Sequence, residues 1–243
     1  MLDEVAVERW LSEFVSRVLG AFGPRVVCVL HHGSWARGEG GPESDIDTIV
    51  VLDRIEAEDL DVYRGVIDGM PNSGRWASGL LNSVAELRAS PRAGQVQYFH
   101  GRKVLHGSLD GIVEGPSAEH LLEDVRGKAS ANLLIARHYL LFPHELRDRA
   151  HRLHYPFKEC FYALQSWMLA QCGEFYARKD DLLGALTEAD DRAVVEAARD
   201  WRERGADRDA RPRDSFELLE RWCRSMLSRV GEYEAGSERG LHA

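Results

Sequence analysis

Two short apolar runs enclose a polar, glycine-bearing segment near the N-terminus, and this arrangement constrains the fold more than any other part of the chain. The first run, 25–30, is rich in β-branched residues and predicts a buried strand. The polar segment opens with Gly33-Ser34, and after ten residues the second run begins at Asp45-Ile46-Asp47. Strand residues two apart share a face, so both aspartates would lie on one face while Ile46 points into the core. The segment therefore predicts two strands of a mixed α/β or α+β domain.

The residue types in this segment suit an anion and a cation together. A glycine lets backbone amides approach an anion closely, and a helix starting just after Ser34 would add donors for phosphate. Two carboxylates a few ångströms apart repel each other unless a cation shares them, and Mg²⁺ prefers such oxygens together with substrate phosphates. A phosphate-binding turn facing an acid pair therefore indicates metal-dependent transfer at phosphorus. His31 and His32 are adjacent, so they would point to opposite faces of a strand, which argues against a joint metal site.

Composition excludes several classes of protein. The chain has 243 residues and a net charge of −9, and its 40 acidic against 31 basic residues argue against general nucleic-acid binding. No apolar run approaches the roughly 18 to 20 residues that span a bilayer. Four scattered cysteines without a CxxC pair exclude a disulfide framework and a cysteine zinc site. With the acidic start, which lacks the features of a signal peptide, they predict a cytoplasmic protein.

The residue pattern changes near the middle of the chain. Up to about residue 114 it mixes helices with strands, including an N-terminal amphipathic helix and further predicted strands at 75–87 and 96–105. Beyond that point only helices are predicted, at 118–142, 145–154, 156–172, 190–204 and from Asp214 onward. We therefore expect an α/β (α+β) domain with a mixed sheet, 1–114, then an all-α helical bundle, 115–235, and a flexible tail, 236–243.

The string His32-Gly33-Ser34-Trp35-Ala36-Arg37-Gly38, followed by Ser44-Asp45-Ile46-Asp47, resembles the signature of the DNA polymerase β-like nucleotidyltransferase superfamily. It is closest to the bacterial minimal and aminoglycoside nucleotidyltransferases, in which a helical domain follows the catalytic one. The resemblance implies transfer of a nucleoside monophosphate from an NTP, usually ATP, to an acceptor hydroxyl. Gly33 and Ser34 would then hold the β- and γ-phosphates, and Asp45 and Asp47 would be the catalytic ligands of Mg²⁺.

One departure from the family pattern leaves a second function open. The family usually has a third carboxylate on a later strand, but the expected strand reads Arg75-Trp76-Ala77-Ser78-Gly79-Leu80-Leu81, without an acid. The candidates to replace it are Glu86, Asp110, and Glu145 or Glu159 from the helical domain. Without such a group, the chain would be a catalytically weakened, nucleotide-binding regulatory or antitoxin-like protein that acts through a protein partner.

Basic residues offer further candidate ligands for the nucleotide. Arg37 would bind a phosphate or form an ion pair with Glu39 or Glu43. The positive charge of the second domain gathers at 147–158, where Lys158 is the best candidate for the triphosphate. Arg149 and His154 also fit the R-x₄₋₆-H pattern of HEPN ribonucleases, although a charged helix face is the favoured interpretation. The acceptor stays open between a small molecule such as an aminoglycoside, with antibiotic resistance as the consequence, and a protein side chain.

Overall fold

A computed structural model describes residues 2–146, 150–203 and 205–241, apart from the side chains at 145, 207–209 and 237–241. The chain divides into two compact units, Met1–Pro116 and Ser117–Ala243. Each unit buries a hydrophobic core of its own. None of the helices in the described ranges combines the length and the apolar character that crossing a membrane requires. The cytoplasmic location stays a prediction.

The first unit is built on a four-stranded mixed sheet with the order β3-β2-β1-β4. Its strands are β1 (Val26–His32), β2 (Ile46–Leu52), β3 (Ala77–Ser83) and β4 (Lys103–Gly107). β1 pairs antiparallel with both β2 and β4, and β2 pairs parallel with β3. Its helices are α1 (Glu4–Phe22), α2 (Gly33–Ala36), α3 (Ala57–Asp68), α4 (Ser73–Trp76), α5 (Val84–Ala89) and α6 (Val96–Phe99). The two apolar runs of the sequence are thus the central strands.

The central strands are covered on both faces, which explains why they read as continuous apolar runs. On one face, Val29 and Val50 pack in a cluster with Phe14 of α1. On the other face, Leu30 and Ile49 pack in a separate cluster that includes Leu87 of α5. Burying an aliphatic side chain of this size stabilises the fold by about 1.5–3 kcal/mol. Both central strands are therefore held from two sides, and the turn between them starts from a rigid base.

The regular secondary structure in the described residues of the second unit is entirely helical. Its helices are α7 (Ala118–Leu141), α8 (His154–Cys172), α9 (Lys179–Ala185), α10 (Ala189–Arg199), α11 (Gly205–Ala210) and α12 (Pro212–Leu241). Its core is dominated by aromatic side chains that are almost completely buried, namely Phe157, Phe161, Phe216 and Trp222. The predicted fold class, a mixed-sheet α+β domain followed by an all-α domain, is confirmed.

Two predicted strands of the first unit are shorter than expected. The segment 75–87 forms a strand only over Ala77–Ser83, because Ser83 and Glu86 make a capping box that starts α5: the Ser83 amide donates to the Glu86 carboxylate at 2.7 Å. The segment 96–105 begins as the short helix α6. The chain then passes Gly101 at φ +70° and enters β4 at Lys103.

Several predicted boundaries in the second unit also differ. The helix predicted at 190–204 ends at Arg199. The short helix predicted at 145–154 stays a prediction, because residues 147–149 lie outside the described part of the chain; the residues on either side include 3₁₀ turns at Pro143–Glu145 and Ala150–Leu153. The last helix begins at Pro212, ahead of Asp214, because proline is well suited to a first helical position. Its backbone is helical through Leu241, and the flexibility predicted from residue 236 onward stays a prediction. Arg147 and Arg149 lie outside the described residues.

Candidate active site

The antiparallel register of β1 and β2 brings the two halves of the motif into contact. His32, the last residue of β1, is the partner of Asp47 on β2, and Gly33 follows directly. Gly33 has a φ of +77°, and a Cβ atom added there would overlap the Asp47 carboxylate. The carboxylate therefore lies directly against the Gly33 Cα. Only glycine provides both this backbone conformation and this space.

The two aspartates occupy one end of β2. Ile46, the first residue of β2, is completely buried in the α1 cluster; Asp47 follows it on the opposite face of the strand, and Asp45 immediately precedes the strand. Asp45 is exposed and Asp47 is half-buried. Within the described part of the chain, no group of three or more His, Cys, Asp or Glu side chains is assembled for a metal ion. Two carboxylates beside a glycine turn nevertheless fit a hard divalent cation whose other ligands are phosphate oxygens and water.

The segment between the two strands is held by its own contacts. Trp35 in α2 is buried, and its Nε1 lies 3.5 Å from the carbonyl oxygen of Ser44. Gly40 packs so closely on the indole that a Cβ there would overlap the ring. The amide of Gly41 donates to Ser44 Oγ at 3.0 Å, and the amide of Ser44 donates back to the Gly41 carbonyl at 2.9 Å. These contacts fix the path from the Gly33 turn to Asp45.

Arg37 lies just beyond the turn, but its side chain has a protein partner. It is 8% exposed, and its Nε donates to Glu39 Oε2 at 3.3 Å. The other partner considered, Glu43, accepts instead from Arg75 at 2.7 Å. Ser34 is half-buried, and its carbonyl accepts the Glu39 amide at 2.9 Å. An ion pair with Glu39 is therefore formed, and a role of Arg37 toward phosphate stays a prediction.

Lys158 belongs to the second unit, on α8. It is half-buried, and its Nζ lies 5.8 Å from the centroid of the Tyr162 ring, one turn along the helix. Its role toward a nucleotide stays a prediction. His154 begins the same helix, and its ring stacks on Trp201 with centroids 5.5 Å apart. Arg149, its partner in the ribonuclease pattern, is outside the described residues.

No described residue of β3 supplies a third carboxylate. β3 runs parallel to β2, and Asp47 is the register partner of Ser78. Asp47 lies on the same face of the sheet as Ile49 and Val51. The β3 residues in register with these three are Ser78, Leu80 and Asn82, and none of them is acidic. Glu86 caps α5 beyond the end of the strand, and Asp110 is an exposed partner of Arg102. The position of Ser78 opposite Asp47 cannot be read from the sequence, because strand register is a tertiary property.

Comparison with known proteins agrees with this geometry. Residues 9–78 match the model of the nucleotidyltransferase domain family, a stretch that runs from α1 into the start of β3. The fold is similar to the crystal structure of spectinomycin adenyltransferase AAD(9) from Enterococcus faecialis with ATP and spectinomycin. The TM-score is 0.54 at 10% identity, over 89% of this chain and 99% of that chain. A comparison with curated protein sequences gives no significant match.

The domain match and the strand–turn–strand geometry define the class of the protein. The chain carries a nucleotidyltransferase domain over residues 9–78. The resemblance inferred from Gly33-Ser34 and Asp45-Ile46-Asp47 is confirmed, since both halves of the motif lie inside the matched stretch.

Proposed function

We propose that the protein transfers a nucleoside monophosphate from ATP to a hydroxyl group of a small molecule, with Mg²⁺ bound at Asp45 and Asp47. The contact between the Asp47 carboxylate and Gly33 carries this proposal, because it joins a turn suited to phosphates with a carboxylate suited to a metal. The similar adenyltransferase AAD(9) was crystallised with ATP and spectinomycin, which favours ATP and a hydroxylated small molecule over a protein side chain as acceptor.

The proposed reaction is a displacement at the α-phosphorus of ATP. The acceptor oxygen forms a bond to this phosphorus, the bond to the β-phosphate bridging oxygen breaks, and pyrophosphate leaves. A bound Mg²⁺ would neutralise the charge that develops on the α-phosphate and the leaving group. Backbone amides around Gly33 and Ser34 would orient the β- and γ-phosphates. Because β3 presents Ser78 in place of an acid, the acceptor proton must pass to a group outside this strand.

Asp45→Asn and Asp47→Asn are each expected to reduce transfer on the order of 10²-fold, because each removes an anionic ligand that places positive charge at the phosphates. The measurement is pyrophosphate release and transfer of label from [α-³²P]ATP, with panels of aminoglycosides and spectinomycin as acceptors. Asp61→Asn is the matched control: Asp61 is exposed on α3, and its ion-pair partner among the described residues is Arg64 in the next turn. Full transfer by both Asp45→Asn and Asp47→Asn would contradict the proposed metal site.

Ser78→Asp is expected to strengthen metal binding, because it places a third carboxylate in register with Asp47 on the same face of the sheet. The Mg²⁺ concentration for half-maximal transfer should fall on the order of tenfold, and Mg²⁺ should raise the melting temperature of the variant more than that of the wild type. Ser78→Asn, which is matched in size but uncharged, should leave both quantities near the wild-type values. An unchanged Mg²⁺ requirement in Ser78→Asp would show that position 78 does not face the metal.

The serine at position 78 also favours a second candidate function, a nucleotide-binding regulatory protein that acts through a protein partner. Calorimetric titration with ATP and Mg²⁺ separates the two functions. Wild-type protein that binds ATP only with Mg²⁺, yet releases no pyrophosphate with any acceptor, would support the regulatory function. Turnover that depends on Asp45 and Asp47 would support the transferase.

A further inference from the structure

The first unit contains a pocket on the face of the sheet opposite to Asp47. His31 lines this pocket. On β1, Val29 lies on the same face of the sheet as His31 and packs in the cluster that includes α1. Asp47 lies on the other face, together with Ile49 of the second cluster. The pocket measures about 390 Å³, within the range of small-molecule sites. Its walls are apolar side chains from α1, α2 and β4, namely Val7, Leu11, Val15, Trp35 and Leu105.

His31 forms a polar point in this apolar lining. The residue is 2% exposed, and among the described residues its Nε2 has no hydrogen-bond partner. Burial, followed by the nearby positive charge of Lys103 and by His32, lowers the pKa of His31 to about 4. The ring is therefore neutral at pH 7, with one donor and one acceptor nitrogen. Native proteins rarely leave a buried polar atom unpaired, so this nitrogen points to a ligand group that completes it.

The rim of the pocket is charged. Glu4 and Glu8 lie one turn apart on α1, and Lys103 lies on β4. Within the described ranges, none of these three side chains forms an ion pair. Like charges at this helical spacing repel each other, and a cation between Glu4 and Glu8 relieves the repulsion. Because the rim carries the two carboxylates of Glu4 and Glu8 and the single ammonium group of Lys103, its net negative charge favours a positively charged ligand group.

We infer that this pocket binds an amine-bearing aromatic small molecule. Its ring lies among the apolar walls, a hydroxyl or N–H group reaches His31 Nε2, and its ammonium group lies between Glu4 and Glu8. Trp35 belongs both to the pocket wall and to α2, the short helix that carries Ser34. A molecule bound here therefore contacts the helix that follows the Gly33 turn, on the face of the sheet opposite Asp47. It acts as a regulator and not as a substrate.

The test uses 5-hydroxytryptamine, which combines an aromatic ring, a hydroxyl group and an amine, in calorimetric titration of the full chain. Tryptamine lacks the hydroxyl group and 5-hydroxyindole lacks the amine, and each should bind on the order of tenfold more weakly. In His31→Phe, 5-hydroxytryptamine and tryptamine should bind equally. In the double variant Glu4→Gln/Glu8→Gln, 5-hydroxytryptamine and 5-hydroxyindole should bind equally. These paired losses assign each ligand group to its side chain.

Glu13→Gln is the control on the same helix, because Glu13 pairs with Arg17 and does not line the pocket; it should retain wild-type affinity for all three probes. Asp47→Asn should also retain it, which separates this inference from the outcome of the transfer assay. Circular dichroism checks folding, and His31→Gln replaces His31→Phe if the latter does not fold. Absence of probe binding, equal affinities for the three probes, or unchanged discrimination in the pocket variants would overturn the inference.

Discussion

Gly33→Ala is expected to reduce nucleotidyl transfer on the order of 10³-fold, more than the loss of either aspartate, because it disturbs both halves of the site at once. The φ of +77° at Gly33 is unfavourable for any residue with a Cβ atom. The added methyl group would also overlap the Asp47 carboxylate, so either the turn or the carboxylate must move. Pyrophosphate release at saturating ATP and Mg²⁺ measures the loss.

Gly38→Ala separates the two causes within the same segment. Gly38 has nearly the same backbone conformation, with φ at +73°, but a Cβ there would meet no atom within 4 Å. This variant should lose only about 1 kcal/mol of stability from backbone strain and should keep most of its activity. Equal losses of activity in Gly33→Ala and Gly38→Ala would mean that strain alone is responsible, and that the contact with Asp47 is not part of the site.

Asp191→Ala is expected to lower the free energy of unfolding of the second unit by about 3 kcal/mol, because it leaves buried polar partners without an acceptor. Asp191 on α10 is 2% exposed. It accepts from Trp222 Nε1 at 2.8 Å, and from the two terminal nitrogens of Arg229 on α12 at 2.8 and 2.6 Å. Urea unfolding followed by circular dichroism and tryptophan fluorescence measures the change.

The neighbouring residue provides the control for this prediction. Asp190 also accepts two hydrogen bonds from one arginine. Arg221 donates to it from Nε and from Nη2, each at 2.8 Å, and these bonds lower the pKa of the carboxyl. The pair is partly exposed, with 33% of the Asp190 side chain and 50% of the Arg221 side chain accessible. Solvent screening should limit the cost of Asp190→Ala to less than about 1 kcal/mol. Similar costs for the two variants would show that burial does not distinguish these ion pairs.

The residues of the candidate site are predictable from the sequence because their chemistry and spacing are local. Gly33 is required by a backbone conformation within one turn, and the alternation of apolar and acidic residues around Ile46 predicts one face for Asp45 and Asp47 without reference to the rest of the fold. The central strands are likewise identifiable, since both of their faces are buried and their apolar runs are nearly uninterrupted.

Other features depend on which segments meet in space. The strand predicted at 75–87 extends too far because the capping of α5 at Ser83 competes with β-propensity, and Ser78 becomes significant only through its register with Asp47. Nothing in the local sequence distinguishes His31 from other polar strand residues, because the pocket that it lines is formed by residues of α1 and β4.

The sequence by itself determined the class of chemistry, a glycine turn and an acid pair at fixed spacing, because these requirements act over a few bonds of the chain. It also determined the division into a mixed-sheet part and a helical part through its hydrophobic periodicity. Only the tertiary structure decided that the Asp47 carboxylate lies on Gly33, that Ser78 stands opposite it, and that the buried Nε2 of His31 has no hydrogen-bond partner in the described part of the chain. These contacts join residues from different strands and helices, so they arise from packing and strand register and not from local sequence preference.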